Sequence, residues 1–195
     1  MMSIQTQLWI STLSFLIFGS LIMAYVRYEY LKLGQLTFLG ASLQVIAYGL
    51  LMVLTGLSVW GSLWPSWDEY IPDNWAGGLL TILGLVVCAL GIWDFSSMQR
   101  LIGQRSDYLV IKGVYRYSRN PQYLGLGLLI LGFVVSHWSS TAWLAFVCSL
   151  LLVGVTIWIE EQHLGKLFGE AYREYCRRVP RIIGRMTKIE GTQNE

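Results

Sequence analysis

Two stretches of this chain combine residue types that could do chemistry. The first is Gly113-Val114-Tyr115-Arg116-Tyr117-Ser118-Arg119-Asn120-Pro121-Gln122-Tyr123. Asn followed by Pro is a helix start: the Asn side chain can accept from free N–H groups, and Pro at the first helical position sacrifices no hydrogen bond. A helix amino terminus flanked by Arg116 and Arg119 is a seat for a carboxylate or phosphate. The plainer reading of the same residues is a capped span with flanking arginines. The second stretch is Trp158-Ile159-Glu160-Glu161. Adjacent carboxylates at the end of an apolar helix run against the preference of a helix carboxyl terminus for cations, and charge near hydrocarbon is costly. No residue in either stretch is an obvious catalytic base, so a proton leaving a substrate would go to Glu160, Glu161 or water.

The elements that must position these groups follow from composition. Of 195 residues, 54% are hydrophobic and 13% charged, about half the charge of an average soluble domain, and the mean hydropathy is +0.50. Disorder, collagen-like repeats and nucleic-acid binding are excluded. The pattern predicts an all-α integral membrane bundle of about five transmembrane helices. Leu8–Val26, Leu36–Trp60 and Trp75–Trp93 are uncharged runs of span length, and the first reads as a retained span rather than a signal peptide. Tyr123–Ile159 carries no formal charge over 37 residues, enough for two spans folded back near Ser136-His137-Trp138-Ser139-Ser140. Asn120 lies 18 residues before Trp138 and Glu160 22 after it, so the hairpin brings them within about 6 Å of the same height. A helix start with Arg and Tyr then faces a carboxylate pair. That composition suits a ligand with both a carboxylate and an ammonium or hydroxyls, such as a zwitterionic nucleoside–amino-acid cofactor.

The charge map is an independent signal. All fourteen Lys and Arg lie in three places: Arg27 and Lys32, Arg100 to Arg119, and Lys166 to Lys188. The loop Gly61–Asn74 holds Asp68, Glu69 and Asp73 with no basic residue. Five crossings and the positive-inside rule put the amino terminus outside and the carboxyl terminus in the cytoplasm, and the Trp residues gather near span ends as an interfacial belt. Gly77, Gly84 and Gly91 recur every seven residues, a small-residue face for close helix packing. Leu164, Leu167, Phe168, Ala171, Tyr172, Tyr175 and Val179 recur at helical spacing with Arg173, Arg177, Arg178 and Arg181 beside them: an amphipathic tail on the cytoplasmic leaflet, broken at Gly165 or Gly169. Three cysteines form no CxxC pair, and His163 and His137 are too far apart in sequence and height to suggest a metal. The chain divides into 1–106, three amino-terminal helices with their loops, and 107–195, which holds both chemical stretches, the hairpin and the tail.

Gly113-x-Tyr115-x-x-x-Arg119-Asn120-Pro121-x-Tyr123, followed by Glu160-Glu161-x-x-Leu164-x-x-x-Phe168-Gly169-x-x-Tyr172-x-x-Tyr175-x-x-x-Val179-Pro180-Arg181, resembles the integral-membrane methyltransferases. These comprise the isoprenylcysteine carboxyl methyltransferase and phospholipid N-methyltransferase families, and the likeness covers about Asp107–Ile183. It implies an S-adenosylmethionine-dependent methyltransferase that binds its cofactor from the cytoplasm without a Rossmann domain and without a metal. By position, Tyr108, Leu109, Val110 and Tyr115 would line the adenosyl site. Asn120, Pro121 and Tyr123 would hold the amino-acid end, and Glu160 and Glu161 would bind the polar groups. The chain has Asn120 where the prenylcysteine enzymes usually have His, and Thr156 where they place the Arg that meets a substrate carboxylate. The acceptor expected is therefore a lipid-like partner entering from the membrane, a phospholipid amine or small hydrophobic nucleophile, with a prenylcysteine carboxylate as the alternative. An NADPH-dependent membrane reductase and a non-catalytic helix bundle are the competing classes.

Overall fold

A computed structural model describes residues 4–60, 75–94, 102–104, 107–137 and 140–184. These form α1 (Ile4–Leu33), α2 (Phe38–Trp60), α3 (Trp75–Asp94), a 3-10 turn (Gly113–Arg116), α4 (Pro121–Ser136), α5 (Ser140–Phe168) and α6 (Glu170–Arg178), with no strand among the described residues. Among the described residues four helices are long and apolar enough to cross a membrane, over Trp9–Leu33, Phe38–Leu57, Trp75–Asp94 and Ala142–Phe168. Helix α4 is apolar but has only 16 residues, about 24 Å. The acidic loop Gly61–Asn74, with Trp64 and Trp67, and the turn residues Trp138 and Ser139 lie outside the described residues.

Helix α1 does not stop at Arg27, where the uncharged run ends, but continues to Leu33. A charge ends an apolar run without ending a helix. The Arg27 guanidinium lies 4.6 Å from the centroid of the Trp158 ring on α5, so its charge is met by an aromatic face. Glu29, 1% exposed, accepts from the Thr37 backbone N–H at 2.9 Å and the Thr37 hydroxyl at 2.6 Å. It thus ties the end of α1 to the start of α2.

The core is built by one face each of α1, α2, α4 and α5: Val26, Leu51, Ile130, Val134, Ala142 and Ala145 are almost wholly buried. Outward-facing residues such as Phe18, Leu21, Val53, Leu83 and Leu151 stay exposed. An apolar exterior around a small core is the arrangement a hydrocarbon solvent permits. Helix α3 packs on α4 through its glycines, and Gly77, Gly84 and Gly91 are its buried residues. A Cβ on Gly84 would stand 2.6 Å from the Gly125 carbonyl oxygen, and one on Gly132 2.7 Å from that of Gly77. The seven-residue glycine repeat is a packing seam. It fixes α4 against α3, and Asp94 at the end of α3 accepts from the Val114 N–H at 2.9 Å. The segment carrying Tyr115 is thereby anchored at the same end of the bundle as the start of α4.

Candidate functional site

Pro121 opens α4 with Asn120 at the cap position, as the dipeptide predicts. The Asn120 side chain does not cap the helix. It is 5% exposed, and its Nδ2 donates to the Arg181 carbonyl oxygen at 2.9 Å. Residues 180–181 lie directly against the helix start and orient the amide: the Arg119 N–H also donates to the Pro180 carbonyl at 3.0 Å.

The tail reaches that point by a reversal. Helix α5 runs through Phe168, Gly169 takes a left-handed φ of +53° that other residues rarely adopt, and α6 turns back. Tyr172, Tyr175 and Val179 are buried against Leu109, Leu164 and Phe168. The apolar stripe expected to lie on a membrane surface therefore packs mainly on the protein, where the segment before α4 offers a matching apolar strip. The Tyr175 hydroxyl donates to the Tyr115 carbonyl at 2.7 Å. Burial pushes the phenols of Tyr115, Tyr172 and Tyr175 above the usual tyrosine range, so they stay protonated as donors.

Beneath this strap is a pocket. Tyr108, Leu109, Val110 and Tyr115 form one wall, Asn120 and Gln122 the helix start, and Glu160, Glu161, Leu164 and Phe168 the α5 wall, with Tyr172 and Tyr175 above. Seven of the nine residues expected to bind a cofactor thus line one cavity. Pro121 and Tyr123 do not. Pro121 is buried in the helix start, and Tyr123 stands behind the pocket with its hydroxyl donating to Glu160 Oε1 at 2.5 Å.

The two carboxylates have different surroundings. Glu161 pairs with Arg119 at 3.1 Å and accepts from Arg181 Nε at 3.0 Å. Its hydrogen bond with Arg181 raises that guanidinium's pKa. Among the described residues Glu160 has no cationic partner; the Tyr123 hydroxyl and the Gln44 amide are its donors. Arg119 brings a further feature, since its Nε is buried and has no hydrogen-bond partner among the described residues. A buried cationic donor on a residue that lines a cavity is a group a ligand carboxylate would satisfy. Arg116, in contrast, is exposed and outside the pocket. His163 is 3% exposed and stacks on Tyr30 at 4.4 Å between ring centroids, so it packs as an aromatic wall residue. Among the described residues no three His, Cys, Asp or Glu side chains come together, and Cys88, Cys148 and Cys176 are free.

A family model for phospholipid methyltransferases matches residues 73–171, half of the chain. The chain belongs to the phospholipid methyltransferase family. The family match takes in the α3–α4 glycine seam, the Tyr115–Tyr123 segment and the Glu160-Glu161 pair, and ends at α6. Phosphatidylethanolamine N-methyltransferase from Emericella nidulans is 28% identical over 142 residues, covering 65% of this chain and 14% of that protein. The protein of the same name from Schizosaccharomyces pombe is 27% identical over 169 residues, 73% of this chain and 18% of that one. The chain thus spans less than a fifth of the length of these relatives. No solved structure matches.

Several residues of this pocket are not among the expected cofactor contacts. Helical spacing places Tyr172 and Tyr175 on an apolar face but does not say what that face meets. Gln122 sits inside the motif, and its amide oxygen is bonded by the Tyr115 hydroxyl. Tyr30 comes from α1, far away in sequence, and Gln44 of α2 stands outside the pocket, beside Glu160. The one available signal is Gln44 itself, the single amide side chain in an uncharged run.

Proposed function

We propose that the chain is an S-adenosylmethionine-dependent methyltransferase that acts on the amine of a phospholipid headgroup. The observation that carries the cofactor reading is the pocket beneath the tail, where an unpartnered Arg119 Nε and the Glu160 carboxylate sit within one aromatic-walled cavity. A zwitterionic nucleoside ligand meets each of these: its carboxylate pairs with Arg119, its ammonium or hydroxyls with Glu160, and its flat base with Tyr108, Tyr115 or Phe168. When bound, S-adenosylmethionine supplies an electrophilic methyl group on a positively charged sulfur. The chain's own residues align and shelter. The α6 strap excludes bulk water, and the α4 start positions the pocket floor, which is catalysis by proximity in a desolvated site.

In this reading Glu160 accepts the proton that an ammonium headgroup must lose before its nitrogen can act as a nucleophile. Glu161 is already engaged by two arginines and serves the pocket wall. Thr156, at the height where a prenylcysteine carboxylate would need a cation, is buried and bonded to the Tyr48 hydroxyl at 2.9 Å. That favours the amine acceptor. The active site would face the cytoplasm, consistent with the basic segments at that end.

The test is direct. Purified full-length chain in lipid is incubated with methyl-labelled S-adenosylmethionine and phosphatidylethanolamine, and lipids are read by mass spectrometry. Labelled N-methylated lipid, blocked by S-adenosylhomocysteine and unaffected by chelators, is expected. Methylation of a farnesylcysteine analogue alone, or binding of NADPH with none of S-adenosylmethionine, would overturn the reading.

A further inference from the structure

A second cavity lies on the other side of Gln122 and Tyr123. It occupies about 210 Å³ between α2 and the α3–α4 pair, with Val45, Met52, Ile92 and Leu126 among its apolar walls. Gln122 borders both this cavity and the pocket beneath the tail, so the two adjoin at that side chain. Three polar side chains face the cavity beside Gln122: Gln44, Tyr48 and Tyr123.

Two of the three are committed. The Tyr48 hydroxyl donates to Thr156 Oγ1 at 2.9 Å and the Tyr123 hydroxyl to Glu160 at 2.5 Å, and their rings stack at 6.2 Å. Gln44 is half committed. Its amide lies beside Glu160 as a donor, which turns the NH2 end toward the carboxylate. The other end, Oε1, is buried and has no hydrogen-bond partner among the described residues, in a residue only 8% exposed. Such orphaned acceptors are rare in folded proteins and call for a partner. Gln44 sits six residues into α2, about 9 Å from its start, so bulk water is not at hand. Among the described residues no lysine or arginine lines the cavity. A carboxylate ligand would find no partner there, whereas a donor-bearing one would satisfy Gln44.

We propose that this cavity is the acceptor site and that Gln44 Oε1 accepts a hydrogen bond from the N–H of a lipid amine headgroup, whose acyl part lies along Val45, Met52 and Leu126. The inference rests on the phospholipid reading above and adds the residue that recognises the amine. It makes Gln44 a specificity-determining residue, because each methyl group added to nitrogen removes an N–H that Gln44 could accept. Glu160 then stands between the two cavities, held by Gln44 on the acceptor side and lining the cofactor pocket on the other.

The experiment measures headgroup preference by binding, independently of turnover. Short-chain lipids with identical acyl chains and either ethanolamine or choline headgroups are titrated into full-length protein in detergent. The wild type is expected to favour the ethanolamine lipid by about tenfold, the scale of one net hydrogen bond. Gln44→Leu and the near-isosteric Gln44→Met should cut that preference to within about twofold, with thermal melts confirming folded protein. Equal wild-type affinity for both lipids overturns the proposal by itself, even if neither variant folds. So does a Gln44→Met variant that keeps the full preference. Methyl transfer measured on the same samples separates the two readings: a headgroup preference lost in Gln44→Met without any methylation overturns the enzymatic assignment and leaves the amine site standing.

Discussion

At the scale of single residues, the neighbours Glu160 and Glu161 illustrate how position in a fold divides chemically identical groups. Successive helix residues point about 100° apart, so one carboxylate faces Tyr123 and Gln44 while the other faces Arg119 and Arg181. Their variants should fail differently. Glu161→Gln removes the charge that organises two arginines and should weaken S-adenosylmethionine binding by about 1–3 kcal/mol, the range for a charged hydrogen-bond partner. Calorimetric titration reads that loss. Glu160→Gln removes the proton acceptor and should lower single-turnover methylation by about 10²-fold or more, beyond any fall in cofactor affinity. Equal effects of both variants on both readouts would remove the division of roles.

At the scale of elements, the strap formed by α6 and the seam between α3 and α4 do the positioning. Tyr175→Phe leaves the buried Tyr115 carbonyl without its donor and should cost about 1–3 kcal/mol, visible as a lower melting temperature and a faster cofactor off-rate. The phenols of Tyr172 and Tyr175 are raised by burial in the folded state. Between the ordinary phenol value of about 10 and their raised values the folded chain holds protons that the unfolded chain has released. Stability is therefore complete below pH 10 and falls as pH rises above it. The double variant Tyr172→Phe/Tyr175→Phe should show a flatter alkaline limb in melts run from pH 9 to 11. In the seam, Gly84→Ala places a methyl 2.6 Å from the Gly125 carbonyl and should destabilise by about 1–3 kcal/mol through overpacking. Gly78→Ala, where a Cβ meets nothing within 4 Å, is the matched control and should melt like the wild type.

At the scale of the whole molecule, the alternation of the chain puts the ends of α1, α3 and α5 and the start of α4 at one end of the bundle. The 107–123 segment and the tail close over that end. The basic residues gather there, and the site should face the cytoplasm. Reporter fusions after Lys32, Arg105 and Glu195 are expected to read cytoplasmic, and one after Asp68 external. An external reading at Arg105 would turn the pocket away from the cytosolic cofactor supply and overturn the proposed function.

What the linear sequence determined here is everything set by local composition and periodicity. Uncharged runs specified membrane helices because roughly 20 apolar residues match the bilayer. The Asn120-Pro121 pair specified where α4 begins, and Gly77, Gly84 and Gly91 specified its seam, since a seven-residue repeat keeps one face. The hairpin arithmetic brought Asn120 and Glu160 to one height because α4 and α5 are antiparallel neighbours joined by a short turn. Tertiary structure decided matters that depend on what a face meets. It turned Tyr172 and Tyr175 from a lipid-facing stripe into a lid, because residues 107–115 offered a matching apolar surface. It set the Asn120 amide with its Nδ2 donating to the Arg181 carbonyl and its Oδ1 making no cap bond to α4. It brought Gln44 to Glu160 across 116 positions of sequence, a contact no periodicity encodes, because helix packing is set by the sum of many weak side-chain fits rather than by any local signal.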